Sequence, residues 1–146
     1  MKENCMFRHI LIPTDCTPDT LNALDIAVKM QDLNTSEDTK ITLLHVIETI
    51  ADDDSHEFQN FYNSLKQQAQ KTMEDFTTVY QDKNMIRHHI SFGNRVQEIL
   101  AFSQNEDVDL IILSSHKIDP NNPTQGWGTI SHKVGILSSC PVMLVK

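Results

Sequence analysis

Residues 7–31 read FRHILIPTDCTPDTLNALDIAVKMQ, and this stretch decides the fold class. Phe7 to Thr14 is a short, branched, apolar run ended by Pro13 and Asp15, the pattern of a strand buried on both faces. Thr17-Pro18-Asp19 then reads as a helix start. Thr17 is the expected cap, and Pro18 suits the first helical position, where its missing N–H costs nothing. Leu21, Leu24, Ala27, Val28 and Met30 recur at helical spacing and predict a helix from Pro18 to Gln31.

The same alternation continues outward. After a polar turn from Asn34 to Lys40, ITLLHVI at 41–47 is a second buried strand. Phe58, Phe61, Tyr62, Leu65, Ala69, Met73, Phe76 and Tyr80 mark one face of a long helix, a core-packing element. Met85 to Phe92 is a third strand, polar enough at its outer positions for a sheet edge. Gly93-Asn94 breaks the chain before a helix carrying Val96, Ile99, Leu100 and Ser103. VDLIILS at 108–114 is a fourth strand. Lys117 to Trp127 reads as a loop. Thr129 to Ser138 is the last helix, with Ile130, Val134 and Leu137 expected inward, and Pro141 to Val145 is the last strand.

Five strands alternating with four helices imply a parallel α/β sheet covered on both faces. Ligands in such sheets bind beyond the carboxyl ends of the strands, where the winding direction switches. The positions to inspect are therefore Thr14–Thr17, Val46–Thr49 and Ser114–Thr129.

Composition narrows the functional classes. The chain has 146 residues, with 39% hydrophobic and 22% charged, which fits one folded domain over 1–146. Its net charge of −8 opposes binding to nucleic acid phosphates or anionic membrane surfaces. Cys5, Cys16 and Cys140 are an odd set without a CxxC spacing, which argues against a disulfide scaffold or zinc ribbon and points to a reducing cytoplasm. No apolar leader precedes the first strand. The seven histidines show no metal-ligand spacing, and no metal is expected. His45 reads as a satisfied interior histidine, and His88 and His89 must face opposite sides of their strand. Cys16 reads first as a small residue in a turn, although its place near a helix start is one where a thiol pKa can be lowered for a redox role. No nucleophile–base spacing, GxSxG or Walker loop argues for an enzyme.

Three stretches resemble the universal stress protein family: ILIPTDCTPDTLNALDIAVKM at 10–30, VDLIILSSH at 108–116 and GTISHKVGILSSCPVMLVK at 128–146. ITLLHVIE and the FGN break stand in register between them. The resemblance implies a Rossmann-like, adenine nucleotide α-hydrolase-like sheet with strand order 3-2-1-4-5. It also implies a cytoplasmic stress-response role and a homodimer paired through Pro141–Val145, whose apolar edge would otherwise lie open.

Family members that bind ATP resemble one another in a loop after the fourth strand: Gly, two residues, Gly, nine residues, then Gly-Ser/Thr. The glycines let backbone N–H groups approach phosphates, and the last pair opens a helix whose positive end favours the anion. Here Gly128-Thr129 stands, followed by Ile130 and Ser131, but Ser114 and Lys117 occupy the first two glycine positions. Ten residues separate Lys117 from Gly128. Pro120 and Pro123 remove two more donors.

By resemblance, Pro13, Asp15, Val46, Ser114, Lys117, Gly128, Thr129, Ile130 and Ser131 form the nucleotide site. Asp15 has two readings, a contact to adenine or ribose and an acceptor that orders the following turn. Thr129 and Ser131 likewise read either as helix caps or as phosphate contacts. The altered loop places the chain in the branch without strong ATP binding, a regulatory or interaction protein needing no cofactor. Its partner would dock on Asp52-Asp53-Asp54 or on the proline-bearing loop. The alternative is a switch for ATP, ADP or AMP, or a weak ATPase, with Lys117 or Lys133 supplying the lost phosphate contacts.

Overall fold

The computed structural model describes residues 5–33, 39–49, 56–80, 86–115, 120–121 and 129–146. Its elements are β1 (His9–Thr14), α1 (Thr20–Leu33), β2 (Lys40–Ile47), α2 (His56–Thr77), β3 (Ile86–Phe92), α3 (Arg95–Asn105), β4 (Leu110–Ser114), α4 (Ile130–Leu137) and β5 (Val142–Val145). A single 3-10 turn, Thr78–Tyr80, follows α2. The strands form one parallel sheet in the order β3-β2-β1-β4-β5. The fold class and strand order are those anticipated, with β3 at an edge.

The strands alternate their side chains between two helical layers, and this period of two builds two cores. Ile10, Ile12, Ile41, Leu43, Leu110 and Ile112 face α1 and α2, where they meet Ala23, Leu24, Ala27, Val28 and Met73. Leu11, Leu44, Val46, Ile111 and Leu113 face the other layer and meet Ile99 and Val134. Each fully buried Leu or Ile contributes about 1.5–3 kcal/mol from apolar burial. A slip of one residue in any central strand would exchange the two sets, so the register is strongly specified.

Several helix expectations are corrected. In α1 the inward residues are Thr20, Ala23, Leu24, Ala27 and Val28, and Leu21 is exposed. In α2 the buried anchors are Ala69 and Met73, and Phe61 lies outside the core at 56% exposure. In α4 only Val134 is fully inward, and Leu137 is 60% exposed. An eight-residue helix presents one residue squarely to the sheet, and Leu137 falls on the outer side.

Polar groups inside the sheet are paired. His9 is buried, with Nδ1 2.9 Å from the Glu106 carbonyl and Nε2 2.7 Å from Thr42 Oγ1. The Asp109 carboxylate accepts the Arg8 and His9 N–H groups at 2.7 and 3.0 Å and ties the entry of β1 to that of β4. Among the described residues no buried side-chain nitrogen or oxygen is left without a partner, as expected of groups whose desolvation must be offset. His88 and His89 do face opposite sides. His88 Nε2 lies 2.9 Å from Thr77 Oγ1, and the His89 ring lies 5.1 Å from Phe102 of α3.

A candidate nucleotide cleft at the switch point

β1 is the switch point: the chain steps outward to β2 and β3 on one side of it, then to β4 and β5 on the other. Neighbouring connections therefore leave in opposite directions, and a crevice opens above the carboxyl end of β1.

The end of β1 is shaped by side chain–backbone bonds. Thr14 Oγ1 accepts the Cys16 N–H at 2.9 Å and lies 2.6 Å from the buried Thr20 Oγ1. Asp15 Oδ1 accepts both the Thr17 N–H at 3.0 Å and the Thr17 hydroxyl at 2.6 Å. Asp15 thus orders the turn, as one of its two readings required. Thr17 does not cap α1, because its hydroxyl is engaged by Asp15. The Thr20 N–H instead bonds the Thr17 carbonyl at 3.1 Å in a tight turn, and α1 starts at Thr20 rather than Pro18. Cys16 sits in the left-handed region, φ 63°. Burial, and then the neighbouring Asp15 charge, push its thiol pKa up to about 11. The redox alternative is therefore disfavoured: the helix end does not offset desolvation beside a carboxylate.

On one side of the cleft, β2 presents Leu44 and Val46, and His45 is satisfied at 2.8 Å from the Thr14 carbonyl. The turn from β3 to α3 then sets Arg95. Gly93 has φ +144° and donates its N–H to the Ile47 carbonyl at 3.0 Å. A Cβ there would fall 2.9 Å from Glu98 Oε1. Asn94 caps α3 by accepting the Gln97 N–H at 3.1 Å. Arg95, the first helical residue, points to the cleft, with Nε 3.7 Å from Glu48 Oε1.

On the other side stand β4 and α4. Ser114 donates its hydroxyl to the Asp19 carbonyl at 2.8 Å, tying β4 to the turn before α1. Thr129 caps α4, its hydroxyl accepting the His132 N–H at 3.4 Å.

These elements enclose a cleft of about 260 Å³. Seven expected site residues line it together: Pro13, Asp15, Val46, Ser114, Thr129, Ile130 and Ser131. Lys117 and Gly128 lie outside the described residues, as do Asp52–Asp54 and His116. Lys133 is exposed and absent from the lining. Thr14, one of the strand-end positions marked for inspection, lines the cleft too, and so do five residues that the sequence reading did not select: Thr20, Leu44, Arg95, Ile99 and Leu113. Leu44 shares its strand face with Val46, so the two-residue period was a usable signal for it. Arg95 carried none, because its place depends on where the Gly93 turn delivers α3.

The described lining combines an apolar slot of Pro13, Leu44, Val46, Ile99 and Leu113 with hydroxyls and the N-terminus of α4. Its charged members are Asp15 and Arg95. Such a site suits a flat apolar ring at one end and an anion at the other. Among the described residues, no group of three or more His, Cys, Asp or Glu is placed to hold a metal, and no helix is long and apolar enough to cross a membrane.

Comparison with known proteins agrees with this fold. The chain is 28% identical to universal stress protein YxiE of Bacillus subtilis, over 97% of this chain and all of that one. A universal stress protein of Methanocaldococcus jannaschii is also 28% identical, over 97% and 96% of the two chains. The solved structure of the latter superposes with a TM-score of 0.72, covering 97% and 96%. A family protein of Arabidopsis thaliana, solved with AMP bound, shares the fold at 21% identity, with a TM-score of 0.68 over 94% and 90%. The model of the universal stress protein family matches residues 6–146, and this chain belongs to that family.

Proposed function

We propose that this protein is a regulatory universal stress protein whose cleft takes an adenine mononucleotide and holds ATP only weakly. The observation that carries this reading is the joining of two parts in one crevice. Pro13, Leu44, Val46 and Ile99 offer an apolar slot for the base, and the α4 N-terminus with Thr129 and Ser131 receives an anion. The AMP held by the Arabidopsis thaliana relative of the same fold supports it. Weak ATP binding follows from Ser114. Its side chain is committed to the Asp19 carbonyl, and a residue with a Cβ replaces the glycine that would admit a close phosphate. No nucleophile–base pair stands among the described lining residues, and the ligand is read as a signal rather than a substrate. A cytoplasmic setting goes with this role.

Titration calorimetry with AMP and with ATP, each with magnesium, tests it. Micromolar AMP binding that is lost in Val46→Trp, with ATP binding weaker, is the expected result. No heat from either nucleotide at millimolar concentration overturns it and turns the search to protein partners.

The protein is further proposed to pair as a homodimer through β5. That strand is an edge of the sheet, Leu144 on it is 45% exposed, and Ile136 and Leu137 of α4 are exposed. An apolar edge of this kind is covered by a second copy at little cost. Light scattering gives a dimer mass if this is right and a monomer mass for Leu144→Asp; a monomeric native protein overturns it.

A further inference from the structure

We infer that Arg95 is the anion-gripping side chain of the cleft and that Glu48 competes with the ligand for it. An anionic ligand then binds by exchanging the Arg95–Glu48 contact for an Arg95–ligand contact. The inference rests on the proposed nucleotide site and adds how that site selects and admits its ligand.

Four observations carry it. Arg95 is the cationic residue of the described lining, in a chain of net charge −8 whose field repels anions. Its place is built rather than incidental, since the Gly93 turn and the Asn94 cap deliver the first residue of α3 to the cleft. Its contact with Glu48 is long, 3.7 Å through Nε, with the two side chains 44% and 57% exposed. A pair so long and so wet is weak and readily exchanged. Finally, Arg95 at the start of α3 and Thr129 and Ser131 at the start of α4 line the same cleft, and the two helices are packed against each other.

The ligand chemistry follows. A guanidinium presents a planar fork of N–H donors that matches two oxygens on one centre. A carboxylate and a phosphate both satisfy that fork, which is why Glu48 competes. A phosphate monoester carries between one and two negative charges at neutral pH and displaces a singly charged carboxylate. The preferred ligand class is therefore a nucleoside 5′-monophosphate over the neutral nucleoside.

The test is calorimetric titration of the full chain with AMP and with adenosine, using wild type, Arg95→Gln, Arg95→Lys and Glu48→Gln. Arg95→Gln is expected to weaken AMP binding about tenfold or more and to leave adenosine binding unchanged. Arg95→Lys is expected to fall between, and Glu48→Gln to tighten AMP binding several-fold. Melting temperatures within a degree or two of wild type, about what exposed positions allow, show that the variants fold. If wild type binds AMP and Arg95→Gln binds it equally well, or loses AMP and adenosine together, the role of Arg95 is overturned while the nucleotide site stands. If Glu48→Gln leaves AMP affinity unchanged, the exchange is overturned. If wild type binds neither ligand, both this inference and the proposed function fall.

Discussion

His9 on β1 and Thr42 on β2 are joined inside the sheet, Nε2 to Oγ1 at 2.7 Å. The other ring nitrogen faces the Glu106 carbonyl at 2.9 Å. A carbonyl can only accept, so Nδ1 carries the proton and Nε2 accepts from the Thr42 hydroxyl. Thr42→Val keeps the shape and removes the donor, leaving a buried acceptor unpaired. Denaturant unfolding is expected to show a loss of about 1–3 kcal/mol. His9→Phe, which removes both ring nitrogens, is expected to cost no more than Thr42→Val when placed in the Thr42→Val background, because the orphaned acceptor is then gone.

His88 gives the fold a pH dependence. Burial pushes its pKa below the ordinary 6.5, against the opposing pull of Glu74. The unfolded chain therefore binds the proton more readily than the folded one, and protonation favours unfolding. The stability that His88 contributes is present above pH 6.5 and declines as the pH falls through that value. Unfolding free energy measured from pH 8 to pH 5 is expected to fall less steeply in His88→Gln than in wild type.

Cys16 is expected to be a slow thiol. With its pKa raised to about 11, almost none is thiolate at neutral pH. A short iodoacetamide pulse at pH 7.5, read by peptide mass spectrometry, is expected to label it far more slowly than an unhindered thiol, about 8.5 in pKa. Its left-handed backbone adds a second expectation. Cys16→Val places a β-branched residue, stiffer at χ1 and an outlier in this region, at φ 63° and is expected to lower the unfolding free energy below wild type.

Thr129 separates capping from ligand binding. Its hydroxyl accepts the His132 N–H, and it lines the cleft. Thr129→Ala loses the cap and is expected to cost about 0.5–2 kcal/mol in thermal or denaturant unfolding. Thr129→Asp keeps a capping oxygen, and stability is expected to stay close to wild type. The new carboxylate stands where the anion would sit, so AMP binding is expected to fall at least about tenfold.

Much of the architecture was legible in the linear pattern. β1, β2 and β4 are near-continuous apolar runs, and a strand buried on both faces has no other way to be written. The helices declared themselves by period and by flanking breaks. The errors came where two local rules competed. Thr17 has the chemistry of a cap, yet Asp15 two residues earlier accepts its hydroxyl, and α1 begins at Thr20. Leu137 matched the helical period, but α4 is too short to turn more than Val134 fully inward.

The site divides in the same way. Pro13, Asp15, Val46, Ser114, Thr129, Ile130 and Ser131, which line the cleft, were legible because strand ends and helix starts are readable and a family pattern lies over them. The sequence by itself determined the two-layered parallel sheet, the switch point at β1 and the capped start of α4, because periodicity and capping are local properties of the chain. Only the tertiary structure decided the cleft's charge and walls. Glu48 and Arg95 are 47 residues apart in number, by 95 − 48, and meet only once β2 and β3 pair and the Gly93 turn delivers α3. The pKa of Cys16 was likewise set by burial, which depends on what the fold packs against it rather than on its neighbours in sequence.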